Sequence, residues 1–169
     1  TMSKQDKIDS FDPNGLGDAN NNIYGLPFTT EEAEVVIIPV PWEVTVSYAA
    51  GTALGPQAIF DASFQVDLYD PKIKDAWKIG LAMEPVSDDI ASKSESLRRK
   101  SEHYIGLLQE GELPESNSKM EEIRVTINEE CKKMNHWVKT KTLSHLDKNK
   151  IVALLGGDHS TPLGLKQAK

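Results

Sequence analysis

Residues 154–164 read LLGGDHSTPLG, and this stretch decides the fold. The apolar run from Lys150 to Leu155 is typical of a strand, and Gly156 and Gly157 end it. The strand therefore delivers His159 to its carboxyl end, the edge at which open α/β sheets gather ligands. Because imidazole is the commonest metal ligand among side chains, His159 is a candidate metal ligand.

Two earlier apolar runs predict the other strands. The run from Glu34 to Val40 is continuous and β-branched, which is typical of a strand buried on both faces of a parallel sheet. Trp77 to Met83 predicts a second, shorter strand. Between them, Gly55 and Pro56 predict the start of a helix that runs to about Ala62.

The segment before the last strand predicts two helices. Ser92 and Glu95 have the spacing of a capping box, and so do Ser118 and Glu121. The two boxes flank a breaker segment, 111–114, so each marks a helix start. We place the acidic pair at 88–89 in the turn before the first of these helices.

The second of these helices has one apolar face, formed by residues at steps of three and four: Ile123, Ile127, Cys131, Met134 and Val138. We expect this face to pack on the sheet, with Cys131 packed rather than nucleophilic. His103, His136 and His145 fall in helical segments without partners at metal-site spacing, so we expect them to be solvated or to cap helices.

Strands separated by helical segments predict an α/β fold, a three-layer α/β/α domain with a mostly parallel, doubly wound sheet that is incomplete in this chain. Residues 1–30 are rich in turn signals and predict an irregular surface arm. Residues 31–169 form the domain, with a helical insertion at about 90–148, since that connection is much longer than a crossover requires.

Charge and composition limit the partners of the chain. The net charge of −7 argues against nucleic acid and anionic membranes as partners and favours a small cationic substrate. No apolar run is long enough to span a membrane, and the polar start lacks the apolar region of a signal peptide. A single cysteine agrees with a reducing compartment, and we expect the cytoplasm.

The segment LGGDHS resembles the first metal-binding signature of the ureohydrolases, the arginase and agmatinase group. A second stretch is similar to the agmatinase pattern S-Y-x-x-G-x-x-x-G-P-x-x-I and comprises Ser47, Tyr48, Gly51, Gly55, Pro56 and Ile59. The resemblance implies an arginase-like fold, and it implies that His159 holds one of two Mn²⁺ ions. It also implies hydrolysis of a guanidino or formimino C–N bond with release of urea or a related amide. Pro162 departs from the signature, in which a small non-proline residue is usual.

The resemblance implies further ligands that are not in this sequence. The family carries them in a D-A-H-x-D motif and in a motif with alternating aspartates, and neither string occurs here. One imidazole cannot hold two divalent cations. We therefore expect these 169 residues to be the amino-terminal portion of a longer enzyme and to be inactive alone. Arginine, agmatine, guanidinobutyrate and formiminoglutamate all stay open as substrates.

Two other classes of function stay open. A non-catalytic fragment or interaction module would leave an edge strand at 151–155 exposed, which invites pairing with another chain. Self-association would cover that edge, and we expect a homo-oligomer. Alternatively, the turn at Gly156 and Gly157 would bind the phosphate of a nucleotide.

Overall fold

A computed structural model describes residues 2–46 and 49–168. Its centre is a three-stranded parallel sheet in the order β2-β1-β3, with strands β1 (Val35–Val40), β2 (Leu81–Met83) and β3 (Ile151–Gly156). β1 and β3 pair along their whole length, from Val35 opposite Ile151 to Val40 opposite Gly156. The predictions of β1 and β3 are thus confirmed.

Within the described residues five α-helices accompany the sheet: α1 (Lys4–Ser10), α2 (Gly55–Ser63), α3 (Asp88–Gln109), α4 (Ser118–Leu146) and α5 (Pro162–Lys166). α2 connects β1 to β2, while α3 and α4 connect β2 to β3. Because β2 and β3 flank β1 on opposite sides, right-handed crossovers place α2 and the α3–α4 pair on opposite faces of the sheet. The fold is the incomplete three-layer α/β/α arrangement predicted from the sequence.

The main hydrophobic core lies between the sheet and helices α3 and α4. Ile38 and Val40 of β1 pack there against Leu97 of α3 and against Met134 and Val138 of α4. The apolar face predicted for α4 is confirmed, with Cys131 half-buried within it. Among the described residues no helix is both long and apolar enough to cross a membrane.

The opposite face of β1 is less covered than the sequence predicts. Val36, Ile38 and Val40 are fully buried. On the alternating face Pro39 is buried, whereas Val35 and Ile37 are only partly buried. The prediction of burial on both faces therefore holds at the carboxyl end of β1 and was too strong at its amino end. A continuous β-branched run does not show how completely each face of a strand is covered, because the coverage depends on the helices that pack on the sheet.

The two long helices begin at other residues than the capping-box pattern predicts. α3 begins at Asp88, because the Ser87 side chain accepts a hydrogen bond from Ile90 N. Asp88 and Asp89 therefore lie in the first helical turn and not in a preceding turn. Carboxylates are favourable there because the amino end of a helix carries partial positive charge.

α4 also has a different cap from the predicted one. Asn117 caps it, since its side-chain oxygen accepts from Lys119 N and Met120 N at 3.1 and 3.3 Å. Ser118 is consequently the first helical residue. The breaker segment 111–114 does separate the two helices, as predicted. The residues at about 90–148, predicted as a helical insertion, form the two helices that connect β2 to β3. Whether they are an insertion relative to other proteins stays a prediction.

The amino-terminal segment is more ordered than an irregular surface arm. α1 is closed by a reciprocal cap, in which Ser3 and Asp6 each bind the other's backbone N–H. Farther along, Ile23, Leu26 and Phe28 are buried. The prediction for residues 1–30 was therefore wrong in part. A seven-residue helix is too short to show apolar periodicity. Whether such a segment is helical therefore depends on its cap and on its packing against the domain.

β2 is shorter than predicted, and the amino-terminal segment closes its outer edge. Residues Ala76–Ile79 form a 3₁₀ turn, and Gly80, at φ 83°, redirects the chain into Leu81–Met83. The Asn22 side chain then accepts from Met83 N at 2.8 Å and donates to Met83 O at 3.2 Å. The Asn22 side-chain amide thus forms, at the free edge of β2, the two hydrogen bonds that a neighbouring strand would form.

His145 is buried, contrary to the expected solvated or capping role. Its Nε2 lies 2.6 Å from Glu84 Oε1, and Lys141 Nζ lies 2.8 Å from Glu84 Oε2. Because a carboxylate only accepts, Nε2–H donates. Burial raises the pKa of Glu84, but its hydrogen bonds to Lys141 and His145 outweigh burial and hold the pKa below its ordinary value. This cluster ties the end of β2 to α4.

Replacing Glu84 with Gln should lower the free energy of unfolding at neutral pH by about 2 kcal/mol, the usual value of hydrogen bonds to a charged group. A carboxyl whose pKa is lowered by folding stabilises the protein above its unfolded pKa. The stabilisation is lost as the pH falls through the lower folded pKa. Urea unfolding should therefore show the difference between the two proteins shrinking below pH 4.5, the ordinary pKa of this carboxyl.

Glu129→Gln is the matched control, since Glu129 forms an exposed ion pair with Lys132 on the same helix. Its effect should stay within about 0.5 kcal/mol at every pH. A difference between Glu84→Gln and the wild type that does not change with pH would contradict the role assigned to the Glu84 cluster.

Candidate metal centre

The turn after β3 leaves the sheet beside the end of β1. Gly157 N donates to Val40 O at 3.1 Å, and Asp158 N donates to Trp42 O at 2.9 Å. These bonds continue the contact between the two strands past the end of β3. They fix His159 at the carboxyl edge of the sheet, where the sequence predicts it.

The glycines of the GGDHSTPLG segment lie at close backbone and side-chain contacts. A Cβ at Gly157 would lie 1.9 Å from Trp42 O, and one at Gly164 would lie 2.3 Å from Asn135 O. At Gly156 it would lie 2.4 Å from the Thr161 hydroxyl. Real Cβ atoms are not found at such distances, so these positions exclude every other residue unless the structure shifts. The glycines thus let the turn pack between β1 and α4.

Asp158 closes the turn around His159. Its Oδ1 accepts from Ser160 N at 2.9 Å and from the Ser160 hydroxyl at 2.5 Å, while its backbone oxygen accepts from the Thr161 hydroxyl at 3.0 Å. Ser160 is therefore bound to Asp158 instead of capping α5. The residues on either side of His159 are fixed, which limits where its imidazole can point.

The His159 side chain itself is exposed and available to a ligand. In the part of the chain that the structure describes, no group of three or more His, Cys, Asp or Glu side chains could hold a metal ion. One imidazole does not fit a pair of divalent cations, whose preferred sites combine imidazole with several carboxylates. The described residues thus offer one donor and not a complete metal site.

One oxygen near the turn lacks a hydrogen-bond partner. Asp158 Oδ2 is buried and has no partner among the described residues, and the same is true of Trp42 Nε1.

Cys131 lies near both Asp158 and Trp42. Burial raises the pKa of its thiol, and the charge of Asp158 raises that pKa further. A thiol with a raised pKa is a poor nucleophile, which agrees with the packed role predicted for Cys131.

The loop after β1 is organised by Glu43, a residue that the sequence analysis missed. Glu43 Oε2 accepts hydrogen bonds from Gly51 N at 2.7 Å, from the Thr52 hydroxyl at 3.1 Å and from Ala53 N at 3.1 Å. An acidic residue at a strand end, eight residues before a glycine, is the only signal the sequence offers. That signal is weak, since most such residues are solvated.

The agmatinase-type stretch falls partly on this loop. Ser47 and Tyr48 lie outside the described residues. Gly51 has a φ of 131°, which residues with a side chain rarely adopt, and Gly55 begins α2 as predicted. Ile59 is 46% exposed on α2. His103 and His136 are exposed, in agreement with the prediction that they are solvated.

A parallel α/β domain with a histidine at the carboxyl edge of its sheet is a common scaffold for enzymes. The comparison with family models narrows this class, since the Arginase family model matches residues 33–169. The chain belongs to the arginase family. The resemblance found in the sequence is thereby confirmed.

Two curated relatives carry the same name, N(1)-aminopropylagmatine ureohydrolase. The protein of Thermus thermophilus is 30% identical over 138 residues, which are 82% of this chain and 35% of the relative. The protein of Synechocystis sp. is 43% identical over 42 residues, which are 25% of this chain and 14% of the relative. The chain therefore spans about a third or less of these relatives. No solved structure matches.

Replacing Gly157 with Ala should destabilise the domain by about 1–3 kcal/mol, the usual cost of overpacking, because the new methyl group meets the Trp42 carbonyl. Gly106→Ala is the matched control. A Cβ there meets nothing within 4 Å, and alanine in a helix is better than glycine by about 1 kcal/mol. The free energy of unfolding of both variants is measured by chemical denaturation. Equal stability of the two variants would show that a methyl group at Gly157 meets no steric obstacle.

Proposed function

We propose that this chain belongs to a manganese-dependent ureohydrolase that hydrolyses the C–N bond of a guanidino or formimino group. The products would be urea, or a related amide, and an amine. The observation that carries the proposal is the exposed His159 within the GGDHS turn, in a chain whose residues 33–169 match the Arginase family. The name shared by the two relatives supports release of urea.

His159 would supply one neutral imidazole nitrogen to one of two Mn²⁺ ions. The carboxylates that complete the pair would come from outside these 169 residues, because the described residues include no cluster of ligands. When bound, two such ions supply a hydroxide nucleophile at neutral pH and stabilise the developing charge. Asp158 and Ser160 would hold His159 in place, as their hydrogen bonds suggest.

The substrate would be a small cation, a linear amidine. The net charge of −7 gives such a molecule a favourable field, and the same charge disfavours nucleic acid as a partner. Agmatine and its aminopropyl derivative are the first compounds to test, given the names of the relatives. A single cysteine suits the cytoplasm. We also propose that the expressed protein is a homo-oligomer.

The proposal is tested on the protein as its own gene expresses it, after its intact mass has been measured. Purified with Mn²⁺, it should release urea from at least one member of a panel of arginine, agmatine, aminopropylagmatine and guanidinobutyrate. Formiminoglutamate is assayed by release of formamide. The 169-residue chain by itself should release neither product and should bind at most one Mn²⁺ weakly.

His159→Ala in the expressed protein should remove one Mn²⁺ per chain and lower turnover by more than about 100-fold. That is above the effect of changing a residue that only supports a ligand. Metal content is measured by atomic emission and turnover by urea release. His136→Ala is the matched control, because His136 is also exposed and should leave both values unchanged. If His159→Ala kept its manganese and its turnover, the assignment of His159 would be wrong.

A further inference from the structure

The loop that follows β1 is the neighbour of the His159 turn. β1 and β3 are adjacent parallel strands, so the connections that follow them leave the sheet at the same edge. The hydrogen bond from Asp158 N to Trp42 O joins the two connections directly. α2, which follows the loop at residues 49–54, also contacts β3. The loop at 49–54 therefore belongs to a connection that lies directly beside the His159 turn.

The shape of the loop depends on the Glu43 carboxylate. Its Oε2 binds two backbone N–H groups and one hydroxyl, from Gly51, Ala53 and Thr52. The loop itself holds one 3₁₀ turn, Thr52–Leu54, closed by the bond from Leu54 N to Gly51 O, and it contains a left-handed Ala49 and a glycine at φ 131°. Because one oxygen gathers three donors that lie eight to ten residues away, it sets where the chain turns.

The base of the loop is fixed to helix α3. Glu43 N donates to the buried Ser94 hydroxyl at 3.0 Å, and the Arg98 guanidinium donates to Val46 O. The first part of the loop is therefore held by α3, while its last part is held by the Glu43 side chain. Glu43 takes part in both attachments, since its backbone N–H binds α3 and its carboxylate binds the last part of the loop.

The Glu43 carboxyl is charged at neutral pH. Burial raises its pKa, but the hydrogen bonds from the loop outweigh burial and hold that pKa below its ordinary value. Hydrogen bonds to an ionised acceptor are roughly twice as strong as neutral ones. The residues it holds, AAGTAL at 49–54, carry no charge, so the surface that they form is neutral and largely apolar. Such a surface suits the methylene chain of a linear amidine.

We propose that Glu43 is a positioning residue for the reaction at His159, holding the 49–54 loop as the wall that contacts the carbon chain of the substrate. The inference rests on the proposed function and adds a determinant of substrate affinity to it. Glu43 acts through the loop and does not touch the reacting atoms. Its removal should therefore weaken substrate binding and leave the chemical step largely intact.

The test uses Glu43→Ala and the milder Glu43→Gln in the expressed protein loaded with Mn²⁺. Glu43→Ala should raise KM on the order of tenfold or more while kcat changes less than about threefold, the pattern of lost binding without lost chemistry. Glu43→Gln keeps an acceptor oxygen, so its KM should lie between those of the wild type and Glu43→Ala. The manganese content should equal that of the wild type in both variants.

Amide hydrogen exchange measured by NMR on the manganese-free protein supplies a readout that does not need activity. The amides of Gly51 and Ala53 should exchange faster in Glu43→Ala, since they lose their acceptor, while the amides of β1 and β3 should not change. Glu95→Gln is the matched control. Glu95 lies on α3 in an exposed pair with Arg99, so both kinetics and exchange should stay as in the wild type.

The outcomes separate this inference from the proposed function. Faster exchange at both amides together with the raised KM supports the inference. Faster exchange with an unchanged KM overturns it, and so does unchanged exchange or a loss of manganese with a fall in kcat. If the unaltered protein releases neither urea nor formamide from any substrate of the panel, the proposed function fails and the inference falls with it.

Discussion

The close contact between the β3 turn and the end of β1 is the constraint on which the rest of the structure depends. Gly157 lies so near the Trp42 carbonyl that no Cβ fits between them, and the N–H groups of Gly157 and Asp158 pair with β1. This contact places His159 and the loop after β1 at one edge. It also leaves room for α5 to pack on α4, where Gly164 approaches the Asn135 backbone.

Each strand of the sheet is followed by one carboxylate that secures its carboxyl end. Glu43 after β1 gathers the loop at 51–53, Glu84 after β2 binds α4, and Asp158 after β3 binds Ser160. Buried or half-buried carboxylates are stable only when such donors replace the water that they lose. These acids therefore shape the edge that carries the candidate site, while the His159 side chain stays exposed there.

How far the sequence predicted the structure can be judged from particular elements. β1, β3 and the buried face of α4 were predicted because their apolar patterns are long and regular. The starts of α3 and α4 were misplaced, since several nearby Ser, Asn and Asp residues can all serve as caps and only the backbone geometry selects among them. β2 and α1 were misjudged because three and seven residues are too few to show a period.

The sequence by itself determined the parallel α/β class and the family, and it singled out His159 as the candidate metal ligand. All three follow from local patterns, because the residues of each strand and of the GGDHS segment are neighbours in the sequence. Only the tertiary structure decided that Glu43 holds the loop, that His145 is paired with Glu84, and that Asn22 closes the edge of β2. The partners in the last two contacts lie 61 residues apart, so no local pattern reveals them. Packing of distant segments alone brings these donors and acceptors together.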